Sequence, residues 1–328
     1  MTQPVHVLYT GGTIGMQPGP RGLAPAAGLD LLARDVQQQS PALKEVPEWE
    51  FTSLSPLIDS ANMTPLQWIN IARATREAVE KGASGVVILH GTDTLAFSAA
   101  ALRFWLMDVS VPVIITGAML PAGAPDSDAW ENFFGSLTAI ADAAPGVGLY
   151  FHGTLLPATR TRKVRSHGRH AFQAVAGDSG PATAPADRFN FDMPDKAQQV
   201  GIVPLYPGFD ASILTALIDS GRYGGVVLEC FGSGTGPGDD PAFMAALERA
   251  RQAGILLVAV SQCLEGGIML DIYEAGQQLR AAGVISGGDM TRETALAKLH
   301  FLLHQASLDE TRRRQLMETN LCGELSPA

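Results

Sequence analysis

"LYTGGTIGMQPGPRGLAP", Leu8–Pro25, closes a short apolar run that opens at Val5 and passes into five glycines, three prolines and two threonines. A β-rich run that empties into a glycine turn reads as the first strand of an α/β sheet with its loop. Such loops commonly cradle a phosphate. A dinucleotide site requires G-x-G-x-x-G, and a P-loop requires G-x-x-x-x-G-K-[ST]. "TGGTIG", Thr10–Gly15, fits neither, and no lysine follows it. "GSGTGPG", Gly232–Gly238, lacks the spacing as well. The turn is not a nucleotide site, which leaves open what Thr10 and Thr13 do in it.

Outward from this stretch, apolar β-rich runs alternate with helical patterns. The runs are Val5–Tyr9, Phe51–Leu54, Val86–His90, Val113–Thr116 and Val147–Phe151, followed by Ile202–Tyr206, Val226–Glu229 and Ile255–Val260. Helical periodicity covers Thr64–Lys81, Asp93–Met107, Ser127–Asp142, Ala211–Ser220, Pro241–Ala253, Thr291–Gln305 and a segment near Leu308–Asn320. Thr64, Pro65 and Gln67 spell a capping box with proline in the first turn. The alternation predicts an α/β fold whose parallel sheet is covered on both faces. "GDSGPATAPADRFNFDMPDKAQQ", Gly177–Gln199, has no sustained period and reads as a linker. The expected organisation is a larger N-terminal domain at 1–180 with a doubly wound, flavodoxin-like sheet, a linker at 181–199, and a smaller C-terminal α/β domain at 200–328.

With 328 residues the chain is long for a single core, and 46% apolar with 17% charged residues is ordinary for a globular protein. A net charge of −10 argues against nucleic-acid and anionic-membrane partners. Cys230, Cys263 and Cys322 form neither a disulfide framework nor a zinc pattern, which suits a reducing compartment. The start carries no signal-peptide pattern, and no apolar run reaches the length of a membrane span. A cytoplasmic protein is expected. His300 and His304 stand four apart on a helix but lack the glutamate of a zinc-protease motif, so they read as packing residues and no metal site is expected.

Four polar turns follow the first four strands: Thr10–Thr13, "IDS" at Ile58–Ser60, "HGTDT" at His90–Thr94 and "TGAML" at Thr116–Leu120. An open parallel sheet binds ligands outside its strands' carboxyl ends, so these turns should share one edge. Thr92 and Asp93 fall at the start of the Asp93–Met107 helix, where free N–H groups favour negative charge. A hydroxyl needs a base to become a nucleophile, and a partly desolvated lysine can act as one. "TRTRKVRSHGRH" supplies Arg160, Arg162, Lys163, Arg165 and Arg169, and composition does not choose among them.

Taken together, "YTGGTIG", "DSANMTP", "ILHGTDTLAFSAAAL", "PVIITGAMLP", "SDAWENFFGSL", "TRTRKV" and "GGDMTRETALAKLH" resemble, in order, the bacterial-type L-asparaginases, most closely the cytoplasmic type I branch. The resemblance implies hydrolysis of L-asparagine to L-aspartate and ammonia without metal or organic cofactor. By motif, Thr13 corresponds to the nucleophile, and Thr92, Lys163 and Asp93 to the family's triad. Asp59 and Ser60 correspond to the residues that hold the substrate's α-amino and α-carboxylate groups, helped by Asp93. Gly12 and Gly91 complete that binding set, and Ala118 offers a backbone carbonyl to the side-chain amide. A homodimer or homotetramer is implied, and Gly15–Gly22 resembles a mobile lid loop. The chain departs from the family at Leu23, where a lid tyrosine is usual, at Thr235 for an asparagine, and at Ala158 for a glycine. Alternative readings are a glutaminase-asparaginase of broader specificity and a weakly active amide-binding or sensory protein. A tRNA-dependent amidotransferase subunit shares the motifs but is expected to carry a further N-terminal domain.

Overall fold

The computed structural model describes residues 3–19, 22–25, 28–175, 177, 189–192 and 198–327, with the backbone alone at 18, 19 and 23–25. Contacts divide the chain into two compact units, Met1–Ala174 and Val175–Ala328. Of the expected linker, 181–188 and 193–197 lie outside the described residues.

The first unit begins with β1 (Val5–Gly11), followed by a hairpin of β2 (Met16–Gly19) and β3 (Gly22–Pro25), and by α1 (Leu29–Gln39). Next come β4 (Trp49–Ile58), α2 (Pro65–Glu80), β5 (Val86–Leu89), α3 (Leu95–Trp105), β6 (Pro112–Thr116), α4 (Ala129–Ala139) and β7 (Gly146–Phe151). Three short strands close the unit: β8 (Thr154–Pro157), β9 (Thr161–Lys163) and β10 (Phe172–Ala174). The main sheet has the order β4-β1-β5-β6-β7-β8. Its first five members are parallel, and β8 runs antiparallel to β7 at the edge. Numbered by appearance, the parallel strands stand 2-1-3-4-5, the flavodoxin-like doubly wound order, whose switch point lies between β1 and β5. Every residue of β5 is buried, as a strand covered on both faces must be. Val5, Val7, Tyr9, Val87, Leu89, Ile114, Phe133 and Leu137 share one core cluster.

Three expectations are corrected. The Gly15–Gly22 segment is not a plain loop: Met16–Gly19 pairs with Gly22–Pro25 as a hairpin. The helix expected from Asp93 starts at Leu95, because Thr92–Thr94 form a separate 3-10 turn. The α1 helix was not expected, since Gly28 caps it at φ 92° with no side-chain hydrogen bond, leaving no polar start signal. The α2 start is as expected, with Pro65 in the first turn and Gln67 Oε1 accepting the Thr64 N–H at 2.6 Å.

The second unit is a parallel sheet in sequential order, β11 (Gln199–Pro204), β12 (Tyr223–Cys230), β13 (Leu256–Ser261) and β14 (Ile285–Ser286). Its helices are α5 (Ser212–Asp219), α6 (Pro241–Gln252), α7 (Glu274–Ala281), α8 (Arg292–Leu303) and α9 (Glu310–Met317). Leu214, Leu228, Phe243, Leu257 and Leu279 centre its core. Among the described residues, no helix is long and apolar enough to cross a membrane.

Candidate active site

The four polar turns meet at the carboxyl edge of the first sheet, and glycine backbones let them meet. A Cβ on Gly11 would overlap the Ile58 carbonyl, and one on Gly12 would overlap the Gly91 backbone. A Cβ on Gly91 would lie 2.5 Å from Ser60 Oγ. Gly11 and Gly12 also hold φ values of 123° and 92°, which side chains seldom tolerate. The Gly12–Gly91 contact sits where the β1 and β5 turns separate, at the switch point itself. Thr13 follows Gly12 on one side of this crevice, and Thr92 follows Gly91 on the other.

The two threonines of the opening stretch have different work. Thr10 Oγ1 donates to the Leu89 carbonyl at 2.8 Å and is buried, so it ties β1 to β5. Thr13 is half-buried and opens a one-turn 3-10 helix. Asp59 is half-buried and accepts the Ala61 N–H at 3.2 Å, while Ser60 is buried. Thr94 Oγ1 donates to the Ser60 carbonyl at 2.9 Å, locking the β4 and β5 turns together. Ala118 is fully buried beside Gly117, whose own Cβ would overlap the His90 carbonyl.

Lys163 arrives from outside the sheet. It ends β9, pairs with Phe172 of β10, and Phe172 packs on Phe151 at 4.8 Å, anchoring this two-stranded arm on the end of β7. Its ammonium lies 3.0 Å from Thr92 Oγ1 and 2.8 Å from Asp93 Oδ1. The Lys163 side chain is 17% exposed, whereas that of Asp93 is 67% exposed. Of the basic run, Arg169 instead pairs with Glu131 at 3.2 Å, and Arg160 is buried. Of the five basic residues, Lys163 is the one placed by these contacts beside Thr92 and Asp93.

A buried relay that the motif reading did not single out supports the Gly91–Thr92 turn. Trp68 Nε1 donates to Ser98 Oγ at 2.9 Å, and Ser98 Oγ stands 2.9 Å from His90 Nε2. His90 Nδ1 lies 2.7 Å from the Gly91 carbonyl. Since Trp68 can only donate, Ser98 passes its proton to Nε2, and Nδ1–H is left to donate to Gly91. Burial pushes the His90 pKa down to about 4, so the ring is neutral and this tautomer holds. The signal was the histidine in "HGTDT", whose partners lie on α2 and α3 and are invisible locally.

Of the three departures, Thr235 and Ala158 have described side chains. The Leu23 side chain lies outside the described residues. In the second unit, Thr235 is half-buried and closes a turn on Phe231 through paired backbone hydrogen bonds. Ala158 is buried. His300 and His304 stack, and His304 Nε2 accepts the Gln198 N–H at 3.1 Å, a packing role.

A switch-point crevice lined by hydroxyls, a lysine and carboxylates suits the chemistry of an amidohydrolase, the class to which the family matches assign the protein. Residues 4–187 match the family model described as asparaginase, N-terminal, and residues 199–317 match the glutaminase/asparaginase C-terminal domain. The chain belongs to the asparaginase family. It is 35% identical to L-asparaginase 1 of Escherichia coli strain K12, covering 98% of each chain. It is also 34% identical to a 60 kDa lysophospholipase of Mus musculus, over 97% of this chain and 62% of that protein. Among solved structures, L-asparaginase I from Vibrio cholerae O1 superposes with a TM-score of 0.83 at 32% identity, covering both chains fully.

Proposed function

We propose that the protein hydrolyses L-asparagine to L-aspartate and ammonia with Thr13 as nucleophile. The observation that carries the reading is the Lys163–Thr92–Asp93 contact set on the edge that bears Thr13. A hydroxyl both donates and accepts, so the 3.0 Å contact suits either state of Lys163: ammonium donating to Oγ1, or amine accepting its proton. Thr13 Oγ bonds to the side-chain carbonyl carbon while its proton passes through Thr92 to the Lys163 amine. The C–N bond then breaks as that proton returns to the leaving nitrogen, releasing ammonia. Water attacks the Thr13 ester, the same relay takes its proton and returns it to Thr13 Oγ as the Oγ–C bond breaks, and aspartate leaves. Asp59, Ser60 and Asp93 hold the α-amino and α-carboxylate groups against the Gly12 and Gly91 backbones, and Ala118 O accepts the amide N–H.

A second reading makes Thr92 the nucleophile, because Thr92 is the hydroxyl in direct contact with the lysine. The two separate on one experiment. Rapid quenching during L-asparagine turnover should leave an aspartyl ester on the peptide carrying Thr13; an ester on the Thr92 peptide selects the second reading. Ammonia release from L-asparagine and L-glutamine, measured side by side, should favour asparagine. No release from either would reject the amidohydrolase assignment to these substrates.

The protein is proposed to work in the cytoplasm, a reading supported by Cys230 and Cys263, which take part in no disulfide. It is proposed to assemble as a homodimer or homotetramer. Leu264, Met269, Ile272 and Tyr273, each at least half exposed within one short stretch, support that assembly.

A further inference from the structure

We propose that Asp128 and Asn132 are positioning residues that set the direction of the Ala118 carbonyl, and with it the enzyme's preference for an amide over an ester. The proposal rests on the reading of Ala118 O as acceptor of the substrate's amide N–H.

Asp128, just before α4, and Asn132, in its first turn, both reach the Gly117–Leu120 turn. The Asp128 carboxylate, on a residue 2% exposed, accepts the Met119 N–H at 3.0 Å from each oxygen and the Leu120 N–H at 3.1 Å. Asn132 Nδ2 donates to the Gly117 carbonyl at 2.9 Å and to Asp128 Oδ2 at 3.2 Å. Asn132 Oδ1 accepts the His152 N–H at 2.8 Å, where His152 holds a φ of 46°.

The Met119 N–H and the Ala118 C=O belong to one rigid peptide plane, and in a trans peptide they point in opposite directions. A carboxylate that captures the Met119 N–H therefore turns the Ala118 oxygen away from α4. The Gly117 carbonyl, held by Asn132, fixes the plane on the other side of Ala118 Cα. Both dihedrals of Ala118 are thus pinned. A simpler reading makes Asp128 the cap of α4, but its carboxylate makes no cap hydrogen bond. Ser127 Oγ takes the Ala129 N–H instead, at 3.1 Å.

The test compares L-asparagine with the β-methyl ester of L-aspartate, which has no N–H to give Ala118 O. Aspartate formation is read for both. Asp128→Asn presents an amide N–H₂ to backbone donors, and Asn132→Asp removes the donor to Gly117 O. Each variant should lower kcat/KM for asparagine roughly 10- to 100-fold, the scale of a disrupted buried hydrogen-bond network, and move the ester by less than about threefold. The milder Asn132→Ser is read the same way should either variant fail to fold. Parallel losses on both substrates overturn the positioning role while wild-type asparagine hydrolysis stands. A wild-type enzyme that cleaves the ester but not asparagine overturns the asparaginase reading, and this proposal with it.

Discussion

At the residue scale the decisive contact is Lys163 between a hydroxyl and a carboxylate. The Asp93 partner is largely exposed, so as an ion pair it contributes little to stability. In the proposed mechanism its role is orientation, because it holds the ammonium beside Thr92. Lys163→Arg preserves the charge but cannot release a proton at ordinary pH. It should lower kcat for ammonia release by about two to four orders of magnitude, as should Thr92→Val, which deletes the hydroxyl. Steady-state assays on folded protein check both, and an arginine variant with near-normal turnover removes Lys163 from the relay. The threonines at 10 and 13 show what a motif leaves undecided. One hydroxyl is consumed by the Leu89 carbonyl and the other is not, a difference set by a strand 79 residues away.

At the scale of elements, glycines do two opposite things. Gly12 and Gly91 bring two loops into backbone contact, which a side chain at either position would block. Gly276 sits inside α7, although glycine is a poor helix former, and a Cβ at that position would lie 2.6 Å from the Leu270 carbonyl. Packing overrode propensity. The α8 helix carries a comparable surprise. Lys298 and Glu324 are both fully buried and paired at 2.7 Å. Lys298 also donates to the Met317 and Thr319 carbonyls, and Glu324 accepts the Leu321 and Cys322 N–H groups. This set fastens the C-terminal segment to α8. Glu324→Gln strands a buried ammonium and should destabilise the protein by roughly 3–5 kcal/mol, whereas adding Lys298→Met to Glu324→Gln removes that charge and should recover part of the loss. Urea unfolding of the single and double variants reads the difference.

At the scale of the whole molecule, each unit buries a histidine that stays neutral. Burial lowers the pKa of His90 to about 4, and burial together with His304 lowers that of His300 to about 3. An unfolded histidine titrates near 6.5, so unfolded chains bind protons that the native state refuses. The stability tied to these rings is complete above pH 6.5 and is lost as pH falls from there toward 4 and 3, on the order of 3 kcal/mol for His90. Thermal melts from pH 7 to pH 4 should show a steep fall, and His90→Gln and His300→Gln should each flatten it at some expense in stability at pH 7. The strand–helix alternation, the four turns after the strands and the motif order were legible in the sequence, because periodicity and turn chemistry are local. The flavodoxin-like sheet was among the expectations and Lys163 came only with the family resemblance, whereas the His90 relay and the clamp on Ala118 were not legible. Each joins groups far apart along the chain, and only the packing of strands and helices brings their atoms within hydrogen-bonding distance.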